Sequence, residues 1–263
     1  MFSLTHFLIS ALGATVLGGL TYWFWKTHLR HPRVAAADPK IAESFFNLGE
    51  RLKTRGNFKE AEENYTQALT LKPEWPEAFS RLGYALSHQG KYEEAIMAYQ
   101  EAVRLRMSEA EDFYFLGLAL EQLGRLTEAK LEFYEVLRLQ PNHPEAHYHL
   151  GCVLAKTGFP EKAEKEFVEV LRLNPDCVGA HYHIGLIRWD CGSVAAAERA
   201  FHESLRLDPD FAPGLEKLAA FLDHQGRSEE AYPYWARSWL TETDPGVIRG
   251  IKQRLGEYAM TQA

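Results

Sequence analysis

The sequence predicts an all-α protein, an α-solenoid of six helix-turn-helix repeats with a C-terminal capping helix, behind one transmembrane helix. Glycine and alanine recur at an interval of 34 residues, as from Gly49 to Gly83, which is typical of a helical repeat array. No segment of useful length alternates apolar and polar residues as a half-buried strand does. The first 25 residues contain no Asp, Glu, Lys or Arg.

The first predicted element is a membrane anchor over residues 1–25. The run is long enough to cross a bilayer as a helix, which takes roughly 20 residues. Aromatic and then basic residues follow at its C-terminal end, where they favour the membrane interface. These interface residues are Tyr22, Trp23, Trp25, Lys26, Arg30 and Arg33. The positive-inside rule then predicts a single-pass protein with its N-terminus outside and its repeats in the cytoplasm.

A cleaved signal peptide is the alternative for this segment, with Ala35, Ala36 and Ala37 at the cleavage site. We favour an uncleaved anchor in contact with the lipid bilayer through residues 2–25. The apolar run is long and no Lys or Arg precedes it, whereas signal peptides begin with a basic region. Charged and polar residues also separate the alanine cluster from the apolar run.

Small residues within the predicted anchor suggest a possible helix–helix contact. Ser10, Ala14 and Gly18 recur at four-residue spacing, a pattern that can pack one membrane helix on another. Glycine and alanine are common in membrane helices, which is the simpler explanation of the stripe. The linker that follows, residues 26–38, is short and basic, so it holds the repeats close to the bilayer.

The repeat itself has a direct physical interpretation, which residues 144–177 illustrate. Apolar residues around Gly151 follow the i, i+3, i+4, i+7 pattern of an amphipathic helix, and Gly158 ends that helix. A second helix carries Ala163 and Phe167 and stops at an Asn-Pro pair. We expect Gly151 and Ala163 to lie where the two helices approach closely, with Phe167 filling the remaining gap.

This pattern, a Leu-Gly pair followed by Ala, an aromatic residue and Pro, resembles the tetratricopeptide repeat. The resemblance covers residues 39–245. The six repeats are 42–75, 76–109, 110–143, 144–177, 178–211 and 212–245. Their aromatic residues are Tyr65, Tyr99, Phe133, Phe167, Phe201 and Trp235. The pattern departs from the family where Met107 and Thr243 replace the closing proline and where Ala219 replaces the glycine of the sixth repeat.

Residues 246–263 are predicted to form the capping helix that such an array needs. Asp244 can cap its N-terminus and Pro245 suits the first helical position. The apolar residues of this segment fall on one face at helical spacing. They are Val247, Ile248, Ile251, Leu255 and Tyr258.

The charge of the chain bears on its partners. The net charge is −7, and residues 1–37 carry three cations and no acid, so residues 38–263 total −10. Nucleic-acid binding calls for a basic stripe, which the sequence lacks. We therefore expect no nucleic-acid partner.

No motif indicates an enzyme, a metal site or a cofactor. His147 and His149 recur one repeat later as His181 and His183, but histidines two residues apart point to different sides of a helix. The first of each pair occupies a packing position held by Phe in earlier repeats. The three cysteines show no Cys-x-x-Cys spacing, which favours a reducing compartment.

The resemblance implies a binding groove lined by the first helix of each repeat. One row of groove positions carries Phe46, Ser80, Tyr114, Tyr148, Tyr182 and Glu216. A second carries Glu50, Tyr84, Leu118, Cys152, Leu186 and Ala220, and a third carries Lys53, Glu121, Trp189 and Asp223. Phe46 and Glu50 stand where carboxylate-clamping members of the family have Lys and Asn, so recognition of a chaperone C-terminus is not expected.

We expect the tyrosines of the first row to anchor an extended or helical peptide through apolar contacts. The alternative is that some of these rings pack between neighbouring repeats instead. The sequence as a whole favours a membrane-anchored scaffold that recruits client proteins while a membrane complex is assembled or regulated. A permanent accessory subunit of a respiratory, secretion or pilus complex is the alternative.

Overall fold

The computed structural model describes residues 39–106, 109–241 and 245–261. The predicted anchor over residues 1–25, its interface residues, the Ser10–Ala14–Gly18 stripe and the linker 26–38 lie outside the described residues. Within the described ranges, all regular secondary structure is α-helical. None of the helices described there combines the length and the apolar character needed to span a bilayer.

Thirteen helices account for the described ranges, and the first twelve follow one another as helix-turn-helix pairs. The first six are α1 (Pro39–Thr54), α2 (Phe58–Leu71), α3 (Pro76–Ser87), α4 (Tyr92–Leu105), α5 (Ala110–Gln122) and α6 (Leu126–Leu139). The next six are α7 (Pro144–Lys156), α8 (Pro160–Leu173), α9 (Val178–Asp190), α10 (Val194–Leu207), α11 (Ala212–His224) and α12 (Ser228–Thr241). The last is α13 (Pro245–Thr261).

The turn inside each hairpin depends on a glycine in the left-handed region. Gly158, between α7 and α8, has φ +83°, a conformation that a side chain with a Cβ rarely adopts. The amide of the next residue, Phe159, bonds back to the carbonyl of Leu154. The same positive φ occurs at Gly56, Gly90, Gly124, Gly192 and Gly226. The prediction that Gly158 ends the first helix of its repeat is confirmed.

The two helices of a hairpin approach closely where a glycine faces an aromatic ring of its own repeat. A Cβ added to Gly151 would lie 2.9 Å from Cε1 of Phe167, whose side chain is fully buried. Ala163 is also fully buried, as predicted. The equivalent pairs are Gly49 with Tyr65, Gly83 with Tyr99, Gly117 with Phe133 and Gly185 with Phe201.

The chain divides into two compact units, one ending at Glu135 and the other beginning at Val136. In the first unit the core is formed by alanines and large residues of α1–α6, among them Tyr65, Tyr99 and Phe133. In the second unit the largest fully buried side chains include Phe167, Phe201 and Phe221. Each unit therefore has an apolar core of its own.

Ion pairs also link successive repeats within a unit. Lys91 Nζ lies 2.7 Å from Glu62 Oε2 in the first unit, and Arg227 Nη1 lies 2.7 Å from Glu198 Oε1 in the second. Both carboxylates occupy the same repeat position on the second helix of a hairpin. Such partly exposed pairs contribute up to about 1 kcal/mol each, so they orient the repeats more than they stabilise them.

The helix α13 caps the second unit. Ile251 is 2% exposed and belongs to the cluster that contains Leu218 and Trp235, with Leu255 packed against it. The helix begins at Pro245, and Ile251 and Leu255 lie on the side of it that contacts this cluster. Asp244 lies outside the described residues, as do the side chains of Val247 and Tyr258.

Candidate peptide-binding face

The candidate binding face is the surface formed by the three predicted rows on the first helix of each repeat. We call it the A-helix face and describe it separately in each unit. In the first unit it belongs to α1, α3 and α5, and in the second to α7, α9 and α11. The binding role of these residues remains a prediction. The geometry shows which of their side chains are accessible to a ligand.

The aromatic residues of the first row pack against the buried aromatic ring of their own repeat. In each case the row residue is half-buried. The ring centroids are 5.8 Å apart for Phe46 and Tyr65, 6.2 Å for Tyr114 and Phe133, 5.8 Å for Tyr148 and Phe167, and 6.3 Å for Tyr182 and Phe201. Ser80, in the same row, is buried at 6% exposure and therefore offers little surface.

Two of these rings also contact the last residue of their own repeat, which directly precedes the first helix of the next repeat. Phe46 stacks on Trp75 with centroids 4.6 Å apart. The ring of Tyr182 meets Phe211 edge-on at 5.4 Å. Phe46 and Tyr182 thus pack partly against the end of their own repeat and keep part of their surface open to solvent. Burial, then the nearby carboxylate of Glu216, raises the pKa of Tyr182, so its hydroxyl stays protonated.

In the first unit, Glu50 is occupied by internal contacts. Its carboxylate accepts hydrogen bonds from Tyr65 Oη at 2.6 Å and from Lys53 Nζ at 2.8 Å, and Arg81 Nε lies 3.6 Å away. Burial alone would raise the pKa of Glu50, but these hydrogen bonds and cations hold it below its usual value. Glu50 and Lys53 therefore neutralise one another rather than presenting free charge.

Tyr84, in the second row, belongs to an aromatic group in the first unit. Its ring lies 4.4 Å from His88 and meets Phe115 edge-on at 5.8 Å, and Lys53 Nζ lies 5.8 Å from its centroid. Tyr84 and Leu118 are both half-buried. This part of the A-helix face is apolar, and the ammonium group of Lys53 lies over the ring of Tyr84.

In the second unit, His183 fills the space beside the second row. Its imidazole stacks on Phe167 with centroids 4.9 Å apart and planes 7° apart, and its Nε2 lies 3.7 Å from Cys152 Sγ. Burial, with a smaller effect from the charge of Lys156, lowers the pKa of His183 to about 4. The imidazole is therefore neutral at physiological pH.

Leu186 and Trp189 lie further along α9 and pack against the core cluster of the second unit. The indole of Trp189 meets Phe221 edge-on at 5.4 Å and lies 6.0 Å from the ring of His224. Both side chains are half-buried. They contribute apolar surface at the edge of the A-helix face, with part of each ring or chain committed to packing.

The repeated histidines lie where the sequence predicts a packing position. His147 is buried, with Nδ1 2.7 Å from Glu166 Oε2 and Nε2 3.0 Å from the carbonyl oxygen of Pro141. In the next repeat, His181 Nε2 lies 3.1 Å from the carbonyl oxygen of Pro175. Among the described residues, no three His, Cys, Asp or Glu side chains come together as a metal site requires.

A cavity of about 310 Å³ opens beside Tyr148 in the second unit. It lies between α7, the end of α8 and the start of α9. A Cβ added to Gly179 would lie only 2.7 Å from Tyr148 Oη, so the ring occupies space that a side chain at position 179 would otherwise fill. The cavity is lined by Pro144, Glu145, Tyr148, His149, Val170, Asn174, Cys177 and Gly179.

A family model described as tetratricopeptide repeat matches more than half of the chain, over residues 46–110, 148–210 and 184–247. A second tetratricopeptide repeat model matches residues 113–143. The chain belongs to the tetratricopeptide repeat family. No curated protein gives a significant match to it.

Solved structures of tetratricopeptide repeat proteins share the fold. A structure of MamA is 26% identical with a TM-score of 0.60, and the alignment covers 62% of this chain and 96% of MamA. A tetratricopeptide repeat protein from Parabacteroides merdae is 19% identical with a TM-score of 0.72, over 84% and 88% of the two chains. YrrB, described as having an unusual peptide-binding site, is 22% identical with a TM-score of 0.58, over 72% and 97%.

Tetratricopeptide repeats mediate protein–protein interaction and bind peptide or protein partners on the concave surface of the array. Their fold is generally non-catalytic. The sequence-based prediction of a protein-interaction module is therefore confirmed at the level of the family. The family assignment confirms neither the identity of the client nor the membrane anchor.

Sequence reasoning missed the residues that shape the cavity. Gly179, His149 and Cys177 were not among the predicted groove residues. A signal was available at the second position of each repeat, which is Glu in the first four repeats and Gly179 in the fifth. The sixth repeat has Pro213 at this position. The ring of Tyr148 occupies the space left by the missing side chain at position 179, at the edge of the cavity.

Proposed function

We propose that this chain is a membrane-anchored scaffold that recruits client proteins through the A-helix face, for the assembly or regulation of a membrane complex. The observation that carries the proposal is the half-buried aromatic surface of Tyr148 and Tyr182 in the second unit, with an open cavity beside Tyr148. Rigid aromatic side chains with part of their ring accessible are frequent anchors of protein interfaces.

Three further observations support binding of an extended peptide or a helix. The chain belongs to a family whose members bind proteins or peptides, and YrrB, which shares its fold, has a peptide-binding site. The A-helix face is apolar near Tyr84 and Tyr182 and carries the acidic Glu216, and the exposed Glu145 lies on the same helix as Tyr148. Apolar anchors with a charged rim are the usual composition of such an interface.

Site-specific photo-cross-linking in the native host tests the binding face. A benzoylphenylalanine replaces Tyr148 on the A-helix face, and a second variant carries it at Val168, an exposed position on the second helix of the same repeat. We expect client adducts from position 148 and none from position 168. Adducts from position 168 alone would move the binding site to the opposite helix face and refute the proposal.

The membrane anchor rests on the sequence of residues 1–25 and is tested separately. We expect the full chain to stay with the membrane pellet after alkaline carbonate extraction, and a variant lacking residues 2–25 to be released. Protease added outside intact cells should spare the repeats, since the positive-inside rule predicts them in the cytoplasm. Release of the full chain by carbonate would contradict the anchor without touching the cross-linking result.

A further inference from the structure

We propose that the cavity beside Tyr148 is a specificity subsite that accepts one aromatic side chain of a partner peptide, with a Lys or Arg next to it in the partner sequence. The inference rests on the proposed function, because it names the chemistry of the segment that the A-helix face of the second unit binds. We call this cavity the Gly179 subsite.

The size of the Gly179 subsite indicates a single large side chain. Its volume of about 310 Å³ is at the lower end of the range for small-molecule sites, roughly 300–1,000 Å³. The subsite is open to solvent, and Tyr148 and Glu145 of α7 are among its lining residues. A side chain presented by an extended segment can therefore enter it without a rearrangement of the helices.

The walls indicate an aromatic occupant. The phenol of Tyr148 and the imidazole of His149, which meet edge-on at 5.6 Å, form one side. Val170, which is buried, and the half-buried Cys177 lie among the other lining residues. Aromatic rings prefer offset or edge-to-face contact with other rings, and here two rings at right angles offer both.

The charge at the rim indicates a cation beside that aromatic residue. Glu145 lines the subsite with its side chain 62% exposed, and no Lys or Arg is among the lining residues. His143 Nδ1 lies 3.1 Å from the Glu145 carboxylate and 3.3 Å from the amide nitrogen of Ala146. Because most of the Glu145 side chain is exposed, a cation of the partner can still reach its carboxylate.

The subsite depends on the absence of a side chain at Gly179. An added Cβ would lie 2.7 Å from Tyr148 Oη and 3.0 Å from Cε2, so the ring must shift and change the wall that it forms in the subsite. The Tyr148 ring is half-buried and borders the open subsite, so it can shift without displacing the buried core. Gly179→Ala should therefore fold normally and change the shape of the subsite.

The test uses a phage-displayed library of random seven-residue peptides, selected against the full chain in detergent. We expect enrichment of peptides with Trp, Phe or Tyr next to Lys or Arg. Gly179→Ala should weaken binding of a selected peptide by about tenfold or more, since a misplaced methyl group in an apolar pocket has effects of this size. Glu145→Gln should weaken it by about two- to fivefold, as for an exposed ion pair.

The matched control is Gly250→Ala, because a Cβ at this helical glycine of α13 meets nothing within 4 Å. This variant should bind selected peptides like the native chain, and both glycine variants should melt no lower than it. Selection of no peptides, selection of peptides without the aromatic–basic pair, or equal binding by Gly179→Ala would each overturn the subsite. In that case client adducts from position 148 would still support the proposed function. Failure of the subsite proposal can therefore be distinguished from failure of the proposed function.

Discussion

At the scale of single residues, the neutral imidazole of His183 makes the second unit sensitive to acid. Its folded-state pKa of about 4 lies below the value of 6.5 expected in the unfolded chain, because burial disfavours the charged ring. The unfolded chain therefore takes up a proton first as pH falls. The stability contributed by neutral His183 is present above pH 6.5 and is lost as pH falls from 6.5 to 4.

We predict that His183→Phe removes this acid sensitivity. Phe115 holds the same repeat position in the third repeat and stacks on Tyr99, as His183 stacks on Phe167, so the site can accept the larger ring. Between pH 7 and pH 4.5 the native chain should lose about 2 kcal/mol of unfolding free energy more than the variant. Urea titrations of both chains at the two pH values measure this difference, and equal losses would contradict it.

Glu132 is the opposite case in the first unit. Burial, then repulsion from Glu135 and Glu128, raises its pKa to about 7 from a usual value of 4.5. The folded state favours the protonated carboxyl group. The stability that protonated Glu132 contributes is therefore fully present below pH 4.5 and is lost as pH rises from 4.5 to 7. In the next repeat the equivalent Glu166 is paired with His147, whereas the corresponding position in this repeat is Phe113.

We predict that Glu132→Gln is more stable than the native chain at pH 8, by about 2 kcal/mol, and is nearly equal to it at pH 4.5. The amide keeps the shape of the side chain and carries no charge. Thermal melts at the two pH values measure the effect. A variant that is equally stable at pH 8 would show that water or a cation already compensates the carboxylate.

The position of the candidate binding residues could be predicted from the sequence, but their share in packing could not. The repeat phase places Tyr148 and Tyr182 on the first helix of their repeats. How far each ring turns inward depends on the ring that meets it at or just before the next first helix, which is His183 in α9 for Tyr148 and Phe211, directly before α11, for Tyr182. That contact follows from the angle between repeats, which no local pattern specifies.

At the scale of elements, the contact between a glycine and an aromatic ring sets the separation of the two helices in each hairpin. A Cβ at Gly185 would lie 2.6 Å from Cε1 of Phe201, whose ring is fully buried and cannot move away. Elsewhere in a helix, alanine is favoured over glycine by up to about 1 kcal/mol. A Gly→Ala substitution should therefore lower the free energy of unfolding where an aromatic ring lies opposite the glycine, and raise it elsewhere in a helix.

We predict that Gly185→Ala destabilises the chain by about 1–3 kcal/mol, the usual effect of overpacking a core. Combining it with Phe201→Leu should recover part of the loss, because the smaller side chain makes room for the methyl group. Gly250→Ala is the control without an opposing ring. Chemical denaturation of the three variants measures the effects, and a stable Gly185→Ala would show that α9 and α10 can separate freely.

The bounds of these elements were largely predictable because they depend on local chemistry. The glycines with positive φ and the prolines that open α7 and α8 act within a few residues of their own positions. The start of α1 at Pro39 and of α13 at Pro245 follows the same rule. Contacts between residues further apart in the chain, such as Tyr65 with Glu50, could not be predicted from local sequence patterns.

At the scale of the whole molecule, the stability of a repeat array is approximately a sum over repeats and their nearest-neighbour interfaces. The division into two compact units, each with its own buried aromatic residues, agrees with this description. A destabilising substitution in one repeat should accordingly lower the stability of that repeat and of its neighbours.

We predict that Leu218→Ala, which empties a fully buried site in α11, loosens the second unit selectively. The change should lower protection of amides in α9–α13 by about 2–5 kcal/mol and leave α1–α4 close to native values. Hydrogen exchange followed by mass spectrometry resolves the two regions. Equal loss of protection across residues 39–241 would instead indicate a single cooperative unit.

The pairing of Gly151 with Phe167 inside one repeat bears on how the length of this protein can change through evolution. An in-frame tandem duplication of residues 144–177 would supply both members of that pair together. The junction would also be complementary, because His149 of the added copy would meet Phe167 of the original as His183 does now. A gene can therefore gain a unit of this array in one event, with no second mutation needed to accommodate it.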